Sequence, residues 1–120
     1  MRKAKPCEPA RGDVFLVNFD PTIGSEIKKT RPALILQNDI ANHYSPVTIV
    51  AAITSREGDK LYPTEVVVNA QAGGLAKDSI ILLNQLRTID KERLIKKLGM
   101  IDVDMMRKVD TALLVSLGLT

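Results

Sequence analysis

The stretch Pro46–Ile53, Pro-Val-Thr-Ile-Val-Ala-Ala-Ile, is the most strand-like part of the chain and decides the class of fold. β-Branched residues dominate it and no charge interrupts it, which is typical of a strand buried within a sheet. Similar runs lie on both sides, separated by turn signals such as Asp20-Pro21 and Gly73-Gly74. The sequence therefore predicts further strands at Gly12–Phe19, Arg31–Leu36, Glu65–Val68, Ser79–Leu83 and Leu86–Ile89, and one short helical turn at Asn38–Asn42.

The pattern changes to a helical period near the C-terminus. Asp102 is a suitable N-cap and Gly118 a suitable end for a helix. One face of this predicted helix carries a mainly apolar stripe of side chains. Leu114 and Val115 fall outside the stripe, so either a partner subunit covers them or the helix end stays partly exposed. These elements predict a mainly β fold: a small barrel of five to seven strands with one long C-terminal helix. The stripe comprises Met105, Val109, Ala112, Leu113, Ser116 and Leu117.

Length and composition describe one ordinary domain. The 120 residues are 45% hydrophobic and 26% charged, as in a globular chain. No apolar run approaches the roughly 18 residues that a membrane-spanning helix needs, and no apolar segment follows the basic N-terminus. We therefore expect a cytoplasmic protein without membrane contact. Residues 1–10 are predicted to form a flexible basic leader, and residues 11–120 a single domain.

The net charge of +3 belongs to the N-terminus. Residues 1–11 carry four basic side chains and one acidic one, whereas residues 12–120 carry 13 of each sign. The basic balance is thus no evidence that the folded domain binds nucleic acid. Aromatic residues make up only 3% of the chain, which argues against a base-stacking platform.

Several kinds of site are excluded by the residues present. The chain has no phosphate-binding loop of the Gly-x-x-x-x-Gly-Lys type and no Gly-x-Ser-x-Gly nucleophile elbow. Cys7 and His43 are the single cysteine and the single histidine, so the chain can close no disulfide within itself and offers no cluster of metal ligands. The sequence therefore predicts no metal and no cofactor.

The densest positive charge of the domain is Lys28-Lys29-Thr30-Arg31, just before a predicted strand. The positive charge of this run does not by itself indicate a binding site, because a solvated loop without a ligand has the same composition. Arg31 differs from the lysines because it begins the strand, where the scaffold can hold its guanidinium against a phosphate in a bidentate contact. Thr54 stands at the end of the third predicted strand. Two explanations fit this position: its hydroxyl contacts a phosphate, or the residue only marks the end of the strand.

Seven short motifs occur in order along the chain and closely resemble the MazF/PemK family of toxin endoribonucleases. The likeness runs from about Arg11 to Leu119, and it implies a compact SH3-like barrel with a C-terminal helix. It also implies a homodimer, an antitoxin with an acidic or hydrophobic disordered tail, and metal-independent cleavage of single-stranded RNA at short sequences. The motifs are Arg11-Gly-Asp-Val14, Gly24-Ser25-Glu26, Arg31-Pro32, Gln37-Asn38-Asp39, Ala51-Ala52-Ile53-Thr54, Pro63-Thr64 and Gln85-Leu-Arg87-Thr88-Ile89-Asp90.

The resemblance implies roles for individual residues. Arg31 and Thr54 would be the catalytic pair, stabilising charge on the scissile phosphate. Glu26 would act as a base, read a base edge, or serve only as a loop glutamate. Tyr62 stands where relatives often have leucine, so it either adds a stacking surface or merely caps the barrel. The residues expected to bind substrate are Ser25, Glu26, Lys28, Tyr62, Thr64 and Gln85.

Two other functions remain open on the same fold. One is a non-catalytic toxin of the CcdB type, which poisons gyrase. The other is a degenerate family member that only binds RNA. One fold hosts many functions, and the presence of Arg31 and Thr54 at matching positions is what favours the nuclease.

Overall fold

A computed structural model describes residues 8–120, which form one antiparallel sheet and two helices. No helix in this part of the chain is both long enough and apolar enough to cross a membrane. Short 3-10 turns follow two of the strands, at Ala72–Gly74 and Lys91–Arg93. The elements are β1 (Asp13–Asn18), β2 (Thr30–Ile35), α1 (Asp39–Tyr44), β3 (Val47–Ser55), β4 (Glu65–Val68), β5 (Ser79–Asp90), β6 (Leu94–Met100) and α2 (Val103–Ser116).

The six strands are ordered β4-β5-β3-β2-β1-β6, and the ladder does not close into a ring. The turn at Ala72–Gly74 nevertheless packs against β6 at the far edge of the sheet. A Cβ atom placed on Gly74 would lie 1.9 Å from the carbonyl oxygen of Leu98, so two backbones meet there without intervening side chains. The predicted mainly β fold with a C-terminal helix is confirmed, in a barrel-like form whose edges are bridged by this turn.

Strand alternation gives the sheet two buried faces. On one face, Phe15, Ala33, Ile35, Val50 and Ala52 pack together with other apolar side chains. On the other face, the alternate residues of the same strands form a larger cluster that α2 covers with two buried and three partly buried side chains. This second cluster includes Val14, Leu34, Ala51, Ile53, Val66, Ile81, Leu83, Val109 and Ala112.

The structure differs from the predicted strands in two places. Leu94–Met100 forms β6, which was not among the predicted strands. Its two central lysines break the alternation of apolar and polar residues that marks a half-buried strand. They are tolerated because β6 is an edge strand, where Ile95, Lys96 and Lys97 are exposed. The two segments predicted around residues 79–89 are a single strand, β5. Its register against β3 jumps from Leu82 to Leu86, so the intervening residues form a bulge.

The C-terminal helix begins as predicted, because Oδ1 of Asp102 accepts a hydrogen bond from the Met105 amide at 2.8 Å. Ser116 also faces the sheet and donates to the carbonyl oxygen of Leu83 at 2.6 Å. Leu117 is exposed, so the predicted stripe is wrong at its last member: the helix ends at Ser116 and the chain turns away. Leu114 and Val115 are partly exposed in the single chain.

Three residues of the expected leader contact the domain. Pro9 is buried, the amide of Ala10 donates to Oδ2 of Asp13 at 2.9 Å, and Oε1 of Glu8 lies 2.8 Å from Nδ1 of His43. This contact places His43, in the last turn of α1, in a surface hydrogen bond with Glu8. The rest of the leader, including Cys7, lies outside the described residues.

Candidate functional site

Arg31 and Thr54 face each other at the ends of β2 and β3. The two strands pair with Ala33 opposite Ala52, and the same register carried two residues further places Arg31 opposite Thr54. Nη1 of Arg31 donates a hydrogen bond to Oγ1 of Thr54 at 3.3 Å. The sheet therefore brings together the two residues predicted to be catalytic, although 23 positions separate them in the sequence.

A second hydrogen bond fixes the Arg31 guanidinium. Its Nε donates to the carbonyl oxygen of Lys28 at 2.9 Å, in the loop that leads into β2. The side chain is partly exposed, and Nη2 donates to no atom of residues 8–120. A partly exposed guanidinium that is held at two nitrogens, with its third nitrogen uncommitted among the described residues, is well placed to bind an anion.

An open cleft of about 180 Å³ lies beside this pair. Ser55 and Lys77 bring a further hydroxyl and a further cation to its walls. The backbone at Lys77 is fixed because Ser79 Oγ donates to its carbonyl oxygen at 2.9 Å. Sequence reasoning missed Lys77, whose only signal is its position just before a strand, and gave no separate role to Ser55. The other lining residues are Pro32, Ile53, Leu75, Ala76 and Ser79.

Gln85 and the loop between β1 and β2 form a second polar group. The Gln85 side chain, on the β5 bulge, accepts a hydrogen bond from the Ile27 amide and donates to the Ser25 carbonyl oxygen, both at 3.4 Å. Gln85 and Ile27 line a smaller cleft of about 100 Å³, together with Glu26, Leu86 and Arg87. Two predicted substrate-binding residues, Ser25 and Gln85, are therefore in contact.

Glu26 stabilises its own loop. Its Oε1 accepts a hydrogen bond from the Ile23 amide at 2.6 Å, while its amide donates to the Ile23 carbonyl oxygen at 3.1 Å. Among the described residues, its carboxylate makes no hydrogen bond or ion pair with Arg31. Of the three roles considered for this residue, the geometry gives direct support to the loop role.

Tyr62 and Thr64 line neither cleft. Tyr62 is 51% exposed, and the ammonium of Lys60 lies 5.0 Å from its ring centroid. Thr64 is partly buried, and its carbonyl oxygen accepts a hydrogen bond from the Leu83 amide at 2.9 Å. These two residues sit before β4, apart from the Arg31–Thr54 pair.

Arg87 is a second positioned guanidinium. Its Nη1 donates to the carbonyl oxygen of Phe19, and the group lies 6.0 Å from the Phe19 ring centroid. It braces the start of the loop that carries Lys28.

Within residues 8–120, no three side chains of the His, Cys, Asp or Glu type converge as metal ligands.

Residues 10–117 match the family described as the PemK-like, MazF-like toxin of type II toxin–antitoxin systems. The match spans most of the chain and includes both clefts. The chain belongs to the PemK/MazF toxin family. The resemblance seen in the sequence motifs is thus confirmed.

Individual members of the PemK/MazF family support the assignment. The chain is 50% identical to Endoribonuclease EndoA of Bacillus subtilis over 109 residues, covering 91% of this chain and 94% of that one. A crystal structure of MazF from Deinococcus radiodurans has 30% identity and a TM-score of 0.78, covering 92% and 96% of the two chains. A MazE–MazF crystal structure from the same organism has 29% identity and a TM-score of 0.74, covering 94% and 98%.

Proposed function

We propose that this protein is a toxin endoribonuclease that cuts single-stranded RNA, such as messenger RNA, at short sequences without a metal ion. The activity class rests on membership of the PemK/MazF family and on 50% identity to a protein named as an endoribonuclease. The observation that carries the mechanism is the hydrogen-bonded pair of Arg31 and Thr54 beside an open cleft. A nuclease that acts on messenger RNA would work in the cytoplasm.

The nucleophile comes from the substrate. The 2′-oxygen of one ribose forms a bond to the adjacent phosphorus, while the bond from phosphorus to the 5′-oxygen of the next nucleotide breaks. The 2′-hydroxyl loses its proton and the leaving 5′-oxygen gains one, which gives a 2′,3′-cyclic phosphate and a 5′-hydroxyl. The protein must therefore align the phosphate and stabilise its charge, without supplying a nucleophile.

Arg31 and Thr54 supply that stabilisation. The unused N–H groups of Arg31 donate to a non-bridging phosphate oxygen, and the Thr54 hydroxyl donates to the same phosphate while accepting from Arg31. A guanidinium keeps its proton in proteins, so Arg31 acts as a charge partner rather than as a general acid. Removing one well-placed donor of this kind typically costs about 10²–10³ in rate.

The remaining predicted residues divide between base recognition and the RNA path. The Gln85 amide suits the Watson–Crick edge of an unstacked base, with Ser25 and Glu26 on the loop that it contacts. Lys28 adds charge next to Arg31. Tyr62 and Thr64 line neither cleft, and in this proposal they would contact nucleotides flanking the cut.

The partners of the family extend to this chain as part of the proposal. The MazE–MazF structure of Deinococcus radiodurans is named as a complex of two proteins, and we expect a MazE-like antitoxin here. An acidic or hydrophobic disordered tail laid across the Arg31 cleft would block it. The active form is expected to be a homodimer, which sedimentation of the purified chain measures directly.

One assay tests the activity. The purified chain is incubated with a long single-stranded RNA in EDTA, and the new 5′ ends are mapped. We expect discrete cuts that are lost in Arg31→Ala and in Thr54→Ala. Cleavage that needs added Mg²⁺ contradicts the mechanism. RNA binding without cleavage, or inhibition of gyrase without cleavage, would instead identify a degenerate member or a CcdB-type toxin.

A further inference from the structure

The peptide bond between Lys28 and Lys29 is held at both ends by charged side chains. On one side, Oδ1 of Asp20 accepts a hydrogen bond from the Lys29 amide at 3.0 Å. On the other side, the Lys28 carbonyl oxygen accepts the hydrogen bond from Nε of Arg31 at 2.9 Å. A carboxylate and a guanidinium that do not touch each other are therefore linked through one peptide group.

A peptide group is planar and rigid, so fixing its N–H also fixes the direction of its C=O. The carboxylate of Asp20 thereby determines where the Lys28 carbonyl points, and the carbonyl in turn orients Arg31. Hydrogen bonds in a chain also polarise one another, and both of these bonds involve a charged group. Asp20 is thus coupled to Arg31 through two hydrogen bonds and one peptide group, without a direct ion pair.

The local backbone needs this support. Lys29 has a φ of 67°, in the left-handed region that a lysine rarely adopts. The Asp20 hydrogen bond and a second bond from the Phe19 amide to the Lys29 carbonyl oxygen, at 2.9 Å, hold it there. Such conformations persist only where the surroundings impose them, and they cluster at functional sites.

The backbone of Asp20 is itself held in place by hydrogen bonds on both sides. Its amide donates to Oδ1 of Asn18 at 3.1 Å, and its carbonyl oxygen accepts a hydrogen bond from the Arg93 guanidinium. The carboxylate can therefore act as an anchor instead of following the loop.

We propose that Asp20 is a positioning residue for catalysis, which aligns the Arg31 guanidinium through the Lys28–Lys29 peptide group. This inference rests on the proposed nuclease function and goes beyond it, because Asp20 lines neither cleft and need not touch RNA. Misplacing a catalytic group by about 1 Å can cost roughly 100-fold in rate. Loss of the Asp20 acceptor should accordingly lower kcat and leave the binding of RNA nearly unchanged.

The test compares Asp20→Ala with Asp20→Asn, which loses the charge but keeps a carbonyl oxygen able to accept from the Lys29 amide. The control is Asp90→Ala, since Oδ1 of Asp90 likewise accepts from a backbone amide, that of Glu92, at 2.8 Å in an exposed turn. Cleavage of a short RNA carrying one mapped site gives kcat and KM. The same RNA with a 2′-deoxy nucleotide at the cut gives Kd without turnover.

We expect kcat to fall by about 10- to 100-fold in Asp20→Ala, with Kd within about threefold of the parent. Asp20→Asn should recover most of the lost kcat, and Asp90→Ala should resemble the parent. A kcat for Asp20→Ala within twofold of the parent overturns the proposal. An equal loss in Asp20→Asn overturns it too, because hydrogen-bond acceptance would then not be the cause.

A second readout needs no activity and separates this inference from the nuclease proposal. The Arg31 Nε–H signal in a ¹⁵N NMR spectrum is assigned by its absence in Arg31→Lys, and its exchange with solvent is measured. Exchange should be faster in Asp20→Ala and restored in Asp20→Asn. Unchanged exchange in Asp20→Ala contradicts the proposal even if the parent chain proves to cleave no RNA.

Discussion

Thr54 lies directly across the β2–β3 strand pair from Arg31 and accepts a hydrogen bond from its guanidinium at 3.3 Å. The bond sets the direction of the Arg31 side chain before any substrate binds. It also occupies one lone pair of the Thr54 hydroxyl oxygen, while the hydroxyl proton stays available to donate to a ligand. The pair is thus a preorganised arrangement of donors around one position in the cleft.

Arg31→Lys is expected to lower the cleavage rate by about 10²-fold or more, although it keeps the positive charge. Lysine offers one ammonium in place of a planar fork, so it cannot contact Lys28, Thr54 and a phosphate together. Single-turnover cleavage at saturating protein measures the effect. A lysine variant within fivefold of the parent would show that charge alone is sufficient.

Thr54→Val tests the hydroxyl with almost no change in side-chain shape. We expect a loss of about 10²-fold in kcat, because the variant removes both the donor to the phosphate and the acceptor that aligns Arg31. Thr54→Ser is the matched control, since it keeps the hydroxyl, and it should stay within about tenfold of the parent. If Thr54→Val and Thr54→Ser cleave RNA at the same rate, the Thr54 hydroxyl has no role in catalysis.

The strand pattern places Arg31 and Thr54 each at a strand end, but only the family resemblance pairs them, and neither signal points to Lys77 in the same cleft. Arg31 and Thr54 each lie at the end of a strand whose apolar residues make it easy to recognise. Lys77 reaches the cleft only because β5 pairs with β3 through Ser79 opposite Ser55, and no local pattern specifies that pairing. Contacts between elements distant in sequence depend on register, which single residues do not reveal.

The edge strand β6 escaped prediction for a different reason. Lys96 and Lys97 are adjacent and both exposed, so the alternation of apolar and polar residues that marks a half-buried strand is broken. Such charges are common on edge strands, where they discourage pairing with another chain. The bulge in β5 had a similar effect, because it interrupts the pattern and makes one strand look like two in the sequence. The same bulge presents Gln85 to the loop between β1 and β2.

Gln85→Ala is expected to weaken RNA binding by roughly fivefold and to relax the choice of cleavage site. The variant removes the amide available to a base and also the two hydrogen bonds to Ser25 and Ile27, each worth about 1 kcal/mol at most. Mapping of 5′ ends on one long RNA measures selectivity. Asn84→Ala, an exposed neighbour on the same bulge, should cut at the parental sites. An unchanged cleavage pattern in Gln85→Ala would exclude base reading by this residue.

Gly74→Ala should destabilise the fold by about 3 kcal/mol or more. Its φ is 77°, and the added Cβ would meet the Leu98 carbonyl oxygen at 1.9 Å, so backbone strain and overpacking both contribute. Gly58→Ala is the control: its φ is 71° but no atom lies within 4 Å of the new Cβ, so strain alone should cost about 1 kcal/mol. Urea unfolding gives both values. Similar losses in the two variants would mean that the turn does not pack on β6 as described.

Asp39 should make stability depend on pH in the acid range. The hydrogen bond from the Arg11 amide at 2.7 Å, with smaller help from the Asn42 side chain, holds the pKa of Asp39 below its ordinary value. Because the folded pKa is the lower one, the stabilisation is fully present above the unfolded pKa of about 4, and it is lost as the pH falls through the folded pKa. Thermal unfolding should therefore show a higher Tm for the parent than for Asp39→Ala at pH 7, with the gap narrowing below about pH 4. A gap that stays the same from pH 7 to pH 3 would mean that the ionised carboxylate does not tie Arg11 to α1.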